Sequence, residues 1–332
     1  MTKLHLSRVD YDRAPALTQF EDHTIFQTKN WLKFVSHTQN AEPVVAAIKD
    51  GNRLVGRFSG LIIKKYGLRI LGSPFPGWTT SYMGFNLDPS ASRIDALLAL
   101  KDFVFHELKC IHSEIMDRHL STNDLQKAGY HYRILSGFEI DLTKEEEKLF
   151  NAMKPACRRC IRKAAKVGVQ VEVAKDKSFA DEYYSQLEDV FAKQHLVPTY
   201  SKERVRSLIK LLLPTGQLLL IRAKDREGNC IATGIFPALN DTMYFWAGAS
   251  WRRYQALRPN EAIQWFAMLY WKARGISKYD MGGGGEYKRK YGGYEIAVPW
   301  GRKSKYPVFE SLRNFGMNLF AAKQRIRGLR KR

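Results

Sequence analysis

Apolar residues along this chain switch between a period of two and a period near 3.6, and the same order of strands and helices is read twice. Leu4–Val9 alternates as a strand, and Phe20–Thr38 carries a helix around Trp31, Leu32, Phe34 and Val35. Val44–Ile48 and Leu54–Lys64 flank Lys49-Asp50-Gly51-Asn52, a hairpin signal, because Asp-Gly and Gly-Asn supply the positive φ of tight turns. Leu68–Leu87 is rich in Pro, Gly and aromatic residues and predicts little regular structure. Ser90–Leu108 repeats Ile94, Leu97, Leu98, Phe103 and Leu108 at helical spacing. Strand Ile111–Met116, a helix near Thr122–Ala128 and strand Tyr132–Leu142 follow.

The second half predicts helices at Phe179–Gln194 and Lys202–Leu213. Strands at Gln217–Ala223, Asn229–Pro237 and Asp241–Ala249 come next, then helix Glu261–Arg274 and strand Ile276–Met281. Each half therefore reads as antiparallel strands, a helix and a strand of parallel type, one α/β (α+β) unit used in tandem. The expected division is 1–143, 144–306 and a basic amphipathic tail helix, 307–332. Between the halves, Glu145–Lys166 begins with acidic residues suited to a helix N-terminus, and Pro155 ends one helix and opens another. On a wheel of about 100° per residue, Lys154, Arg158, Arg159, Arg162, Lys163 and Lys166 share one side of that second helix. Met153, Cys157, Cys160, Ile161 and Ala164 share the other. The basic side is either a solvated face or a contact for a phosphate-bearing partner.

Charge sharpens that choice. The 332 residues hold 54 Lys+Arg against 33 Asp+Glu, a net charge of +21, which favours anionic partners: RNA, an anionic leaflet or a phosphorylated substrate. No apolar run reaches the roughly 20 residues needed to span a bilayer, and the charged N-terminus is unlike a signal peptide, so a cytoplasmic protein is expected. The four cysteines form no disulfide framework at this length, and Cys157-x-x-Cys160 lacks a second ligand pair for zinc, so no metal is expected. The tail packs Lys323, Arg325, Arg327, Arg330, Lys331 and Arg332 behind an apolar stripe, a shape that docks on its own domain or lies on an anionic membrane surface.

The most informative stretch is Tyr244–Ile296, where an aromatic strand, a polar turn, a long helix ending at Gly275, a short strand and four glycines succeed one another. Strand ends and a helix N-terminus then face one crevice. The residues Pro259-Asn260-Glu261-Ala262-Ile263-Gln264-Trp265, then Gly275, Tyr279-Asp280-Met281-Gly282-Gly283, Tyr287-Lys288 and Lys290-Tyr291-Gly292 resemble the C-terminal half of the Fem-type family. Upstream, Met153-Lys154 and Arg158 to Ala164 before Gly168-Val169 resemble that half's opening. The family has the GNAT fold and includes the FemA, FemB and FemX aminoacyltransferases and CelD-like acyltransferases of envelope polysaccharide loci. The resemblance implies a transferase carrying an acyl or aminoacyl group to an amine or hydroxyl of a cell-envelope precursor. The donor would be acyl-coenzyme A, such as acetyl-coenzyme A, or aminoacyl-tRNA, used at the inner leaflet of the membrane.

Acyl transfer to an amine needs a base, donors for the oxyanion and close positioning. Asp280, at a strand end, is a candidate base or a cap of the Gly282–Gly285 loop. Tyr287 and His195 are the other catalytic candidates, although no carboxylate in the sequence is paired with His195. Gly282, Gly283, Lys288 and Lys290 suit a phosphate-bearing donor. In GNAT enzymes the turn before the long helix receives the pyrophosphate on glycine-rich backbone. Here Arg252, Arg253, Tyr254, Arg258 and Asn260 occupy it without a glycine, so a phosphate would be held by side chains. Arg158 and Arg162 are further donor contacts, and Trp78, Tyr82, Asp117 and Arg118 could line an acceptor groove. The alternative from another class is a non-catalytic binder of RNA or anionic lipid. It makes the basic faces essential and Asp280 dispensable.

Overall fold

The computed structural model describes residues 4–193 and 195–309. The tail helix expected over 307–332, with its basic tip, lies outside the described residues from 310 onward. The chain forms two compact units, the first holding the described residues up to Leu135 and those from Ala297, the second running from Ser136 to Ile296.

In the first unit, β1 (Leu4–Val9) is followed by three short 3-10 turns and α1 (Lys29–Gln39), whose N-cap Thr28 accepts the Trp31 amide. The hairpin of β2 (Glu42–Asp50) and β3 (Arg53–Lys65) turns at Gly51, with φ +57°. Next come β4 (Leu68–Ser73), β5 (Gly84–Leu87), α2 (Arg93–Asp102), β6 (His112–Met116) and α3 (Thr122–Lys127). Strands β1 to β4 pair antiparallel in sequence order, β5 returns to β3, and β6 joins β4 in parallel. Val44, Ala46, Phe58, Leu71, Phe85, Leu97 and Leu100 fill the core between this sheet and α2. Two expectations are corrected here. The segment expected to be irregular contains β4, whose Gly72 is packed so closely that a Cβ would meet the Phe75 ring at 2.5 Å. The helix expected to reach Leu108 stops at Asp102, and a π turn, Phe103–Glu107, places the consecutive Phe103, Val104 and Phe105 all inside.

Strand β7 (His131–Asp141) carries the chain into the second unit, where α4 (Glu146–Ala152), α5 (Pro155–Lys166), β8 (Gln170–Val173), α6 (Phe179–Ala192) and α7 (Lys202–Leu212) follow. Then come β9 (Leu218–Lys224), β10 (Cys230–Leu239), β11 (Thr242–Tyr244), β12 (Ala247–Ser250), α8 (Pro259–Lys272), β13 (Lys278–Gly283) and β14 (Tyr294–Ser304). The topology repeats that of the first unit. Strands β8 to β11 pair antiparallel in order, β12 returns to β10, and β13 joins β11 in parallel. Residues 137–141 of β7 lie antiparallel on β13, and residues 300–304 of β14 lie antiparallel on β6. The core packs Ile221, Phe236, Met243, Ile263, Met268, Trp271, Tyr279 and Met281 between sheet and α8, with the Trp271 indole donating to the Phe236 carbonyl at 3.2 Å. Each fully buried aliphatic or aromatic side chain of this kind contributes about 1.5–3 kcal/mol.

Candidate active site

The strand expected over Asp241–Ala249 is split, and the split opens the site. Adjacent amides go to different strands: Phe245 N–H donates to the Asp280 carbonyl on β13 at 2.9 Å, while Trp246 N–H donates to the Ile235 carbonyl on β10 at 3.1 Å. Beyond this point β12 stays with β10, whereas β13 runs on with β7 after a register shift between Asp280 and Gly283. The two strands part like a fork. Gly248 on one prong and Gly283 on the other are exposed.

The N-terminus of α8 is tied to the same prong. Asn260 Nδ2 donates to Ser250 Oγ on β12 at 3.1 Å. A 3-10 turn, Arg252–Leu257, precedes the helix, and Arg258 enters it with φ +63°. The turn is held rather than loose: the Arg252 amide donates to Asp189 Oδ2 at 3.1 Å, and Arg253 stacks over Trp251 and Tyr254, 5.4 and 5.0 Å from the ring centroids. Arg252, Arg253, Arg258 and Asn260 are all exposed at the helix end, where the aligned peptide dipoles favour an anion. Pro259 has no N–H to offer, so the arginine side chains carry more of such a contact than they would behind a glycine turn.

Across the fork, Tyr244, Asp280 and Glu139 are direct register partners on β11, β13 and β7. Side chains at partnered positions share one face. Their strand neighbours Met243, Tyr279 and Ile140 belong to the core against α8, so this row lies on the opposite face. Asp280 is 0% and Glu139 2% exposed. The Tyr294 hydroxyl donates to Glu139 Oε1, and Asp280 Oδ1 accepts the Gly282 amide at 2.6 Å, where Gly282 takes φ +74°. Asp280 thus caps the glycine loop while remaining beside a second carboxylate and the Tyr244 ring. The sequence reading singled out neither Glu139 nor Tyr294. A lone carboxylate inside the apolar strand Gly137-Phe138-Glu139-Ile140 was the available signal.

The basic loop after the glycines divides in two. Lys288 is buried and donates to the carbonyls of Met281, at 2.7 Å, and Gly283. Burial pushes its pKa down, and the Asp280 charge opposes that shift. Lys290 pairs with Glu261 in the first turn of α8 at 2.7 Å. Both lysines therefore brace the loop against β13 and α8, whereas Tyr287 is half-exposed. His195 lies past the end of α6, exposed, with φ +53°. Arg158 donates to Asn151 Oδ1 at 3.0 Å, and Arg162 covers the Phe150 ring at 5.1 Å, both on the outer side of α5. Cys157 is buried beneath that helix, with its thiol pushed up to about 12 by burial. In the first unit, Trp78 packs on Phe75, Tyr82 is buried and Arg118 lies 6.0 Å from its ring. The Asp117 carboxylate accepts the amides of Phe85 and His119 and pairs with Arg93 at 3.0 Å.

Residues 152–291 match the family model described as an acetyltransferase (GNAT) domain. The structure of FemX aligns with a TM-score of 0.71 over 89% of this chain and 96% of that one, at 14% identity. Residues 152–291 carry a GNAT domain, and the chain shares the fold of FemX. The domain over 152–291 is that of a transferase. A tandem GNAT protein from the clavulanic acid biosynthesis pathway aligns at TM-score 0.50 and 12% identity, covering 92% of this chain and 99% of that one. The C-terminal domain of a protein assigned as a lysylphosphatidylglycerol synthetase, from Agrobacterium fabrum, aligns at TM-score 0.55 and 10% identity, covering 79% and 85%. At these identities the structural likenesses are likenesses of fold. No curated protein matches the sequence. Among the described residues no helix is long and apolar enough to cross a membrane.

Proposed function

We propose that this GNAT-fold transferase moves an acyl group from acyl-coenzyme A to a primary amine of a cell-envelope precursor, with Asp280 as the base. The observation that carries this reading is the fork at Phe245 and Trp246, with the N-terminus of α8 tied to one prong and Asp280 seated on the other. A thioester entering the fork can bond to main-chain groups freed where β12 and β13 part, while Arg252, Arg253 and Arg258 face its phosphates. The acceptor ammonium loses a proton toward Asp280, and its nitrogen attacks the thioester carbonyl. The C–N bond forms, the C–S bond breaks, and the thiolate leaves and takes up a proton. Two neighbouring carboxylates, Asp280 and Glu139, favour a cationic amine over a hydroxyl as acceptor.

The outer face of α5 supports a second donor, aminoacyl-tRNA, since Arg159, Arg162, Lys163 and Lys166 are exposed together with no acid among them. The envelope acceptor and a location at the cytoplasmic face of the membrane rest on the fold shared with FemX and the Agrobacterium protein. Thermal unfolding with acetyl-coenzyme A and with bulk tRNA, each over a salt series, tests the donor. A ligand at 100 times its dissociation constant adds about 2.7 kcal/mol. A salt-tolerant rise with acetyl-coenzyme A is expected. Its absence, with tRNA binding that fades steeply as salt rises, would overturn the coenzyme A donor.

A further inference from the structure

The first unit holds a buried cation that the transfer reaction does not use. Arg57 sits on β3 with 2% of its surface exposed. Its Nη1 donates to the Pro15 carbonyl at 2.8 Å, and the Tyr11 ring lies over the guanidinium, 4.5 Å from Cζ to centroid. Nε and Nη2 have no well-formed hydrogen bond, and the Tyr11 side chain is the polar group that acts on the guanidinium besides the Pro15 carbonyl. Those two nitrogens form the side-on fork of the guanidinium, the edge whose parallel N–H groups match the two oxygens of a carboxylate or phosphate.

The surroundings point the same way. Phe58 and Phe85 face the core against α2, so Arg57, Ser59 and Asn86 face the other side of the sheet, with Asn86 the direct register partner of Arg57. Asn86 Nδ2 donates to Gln27 Oε1 at 3.0 Å and to Asp22, which fixes the amide orientation and leaves Oδ1 facing away from these bonds. Asn86 Oδ1 and the Ser59 hydroxyl, both in residues 0% exposed, have no hydrogen-bond partner either. One face of β3 and β5 thus gathers a donor fork shared with no partner but Tyr11, a hydroxyl and a free acceptor. A buried polar group without a partner costs about 1–3 kcal/mol, and more when charged, so three together mark a place built for an occupant.

We propose that Arg57, Ser59 and Asn86 form a receptor for a small oxyanion, a carboxylate or phosphate, beneath the turn Tyr11–Arg13. Two oxygens of the anion accept from Nε and Nη2 of Arg57, and a hydroxyl on the ligand donates to Asn86 Oδ1. An anion with its own hydroxyl, such as glycolate or hydrogen phosphate, is favoured over acetate. Tyr11 packs against the guanidinium, so an anion reaching the fork displaces it.

The test is a titration of the full-length chain with phosphate, glycolate and acetate, against chloride at equal ionic strength. It is read by the shift in unfolding temperature and by the Arg57 Nε–H resonance. A saturable rise is expected for phosphate or glycolate, and which of the two is stronger distinguishes phosphate from carboxylate as the natural group. Arg57→Lys, which keeps the charge and removes the fork, is expected to weaken binding about tenfold or more. If Arg57→Lys fails to fold, the wild-type resonance decides alone. No saturable response of wild type beyond chloride, or an equal response in folded Arg57→Lys, would overturn the proposal.

Discussion

In the proposed reaction Asp280 joins two tasks in one side chain, the cap of the glycine loop and the base. Its Oδ1 holds the Gly282 amide, and it stands in one buried row with Glu139 and Tyr244 on the strands that part at the fork. Asparagine at this position keeps an acceptor for Gly282 and removes the base, which makes it the informative substitution. Gly292 shows the opposite case, a residue required by its backbone angle and by room rather than by chemistry. It takes φ +83°, and a Cβ there would meet the Ala152 backbone at 2.8 Å. Gly292→Ala is expected to destabilise the chain by about 1–3 kcal/mol, measured by urea unfolding, because both strain and overlap act on backbone that cannot move aside. A loss under about 0.5 kcal/mol would show that the neighbouring main-chain bond, from Lys154 N–H to the Lys290 carbonyl at 2.9 Å, yields easily.

Among the elements, α5 separates packing from recognition most cleanly. Cys157 and Ala164 anchor it, Pro155 starts it, and the rest of its outer side is cationic. Replacing Arg158, Arg159 and Arg162 together by Gln is expected to flatten the dependence of tRNA affinity on salt by roughly 0.7–0.9 logarithmic unit per cation, read by filter binding across a salt series. An unchanged slope would assign the charge of α5 to solvation alone. The sequence made α5, α8 and the glycine loop legible because their signals are local: a proline at N1, a 3.6-residue rhythm, four glycines in a row. It hid β4, whose Gly-Ser-Pro ending reads as loop until Phe75 is seen lying over Gly72. It hid the split between β11 and β12 as well. That break depends on which neighbour takes the amides of Phe245 and Trp246, a fact of the assembled sheet with no trace in the residues themselves. Lys288 read as a ligand contact for the same reason, since the carbonyls it holds come near only when the loop closes.

For the molecule as a whole, the topology parts a strand pair twice, β5 from β6 in the first unit and β12 from β13 in the second. In the first unit Asp117, just past β6, bridges that gap by accepting the Phe85 amide of β5 and pairing with Arg93. Acid stability follows from charge pairing in the second unit. Hydrogen bonds from Arg222 hold Asp176 well below the usual carboxylate range, and Lys224 with Arg222 lowers Glu172. Groups depressed on folding add stability above their unfolded pKa, near 4, and lose it as pH falls through the folded value. The unfolding temperature is therefore expected to drop as pH falls below about 4, and to drop less steeply in Arg222→Lys. Parallel curves for the two proteins would mean the cluster does not govern acid unfolding. Acyl transfer to an amine with Asp280 as the proposed base is tested by thiol release from acetyl-coenzyme A across a panel of amino sugars and short peptides. Wild type is expected to release thiol only with an amine present, and Asp280→Asn to turn over about 10²–10⁴-fold more slowly while keeping its fold. Equal rates in the two proteins, or no amine-dependent thiol from wild type, would contradict it.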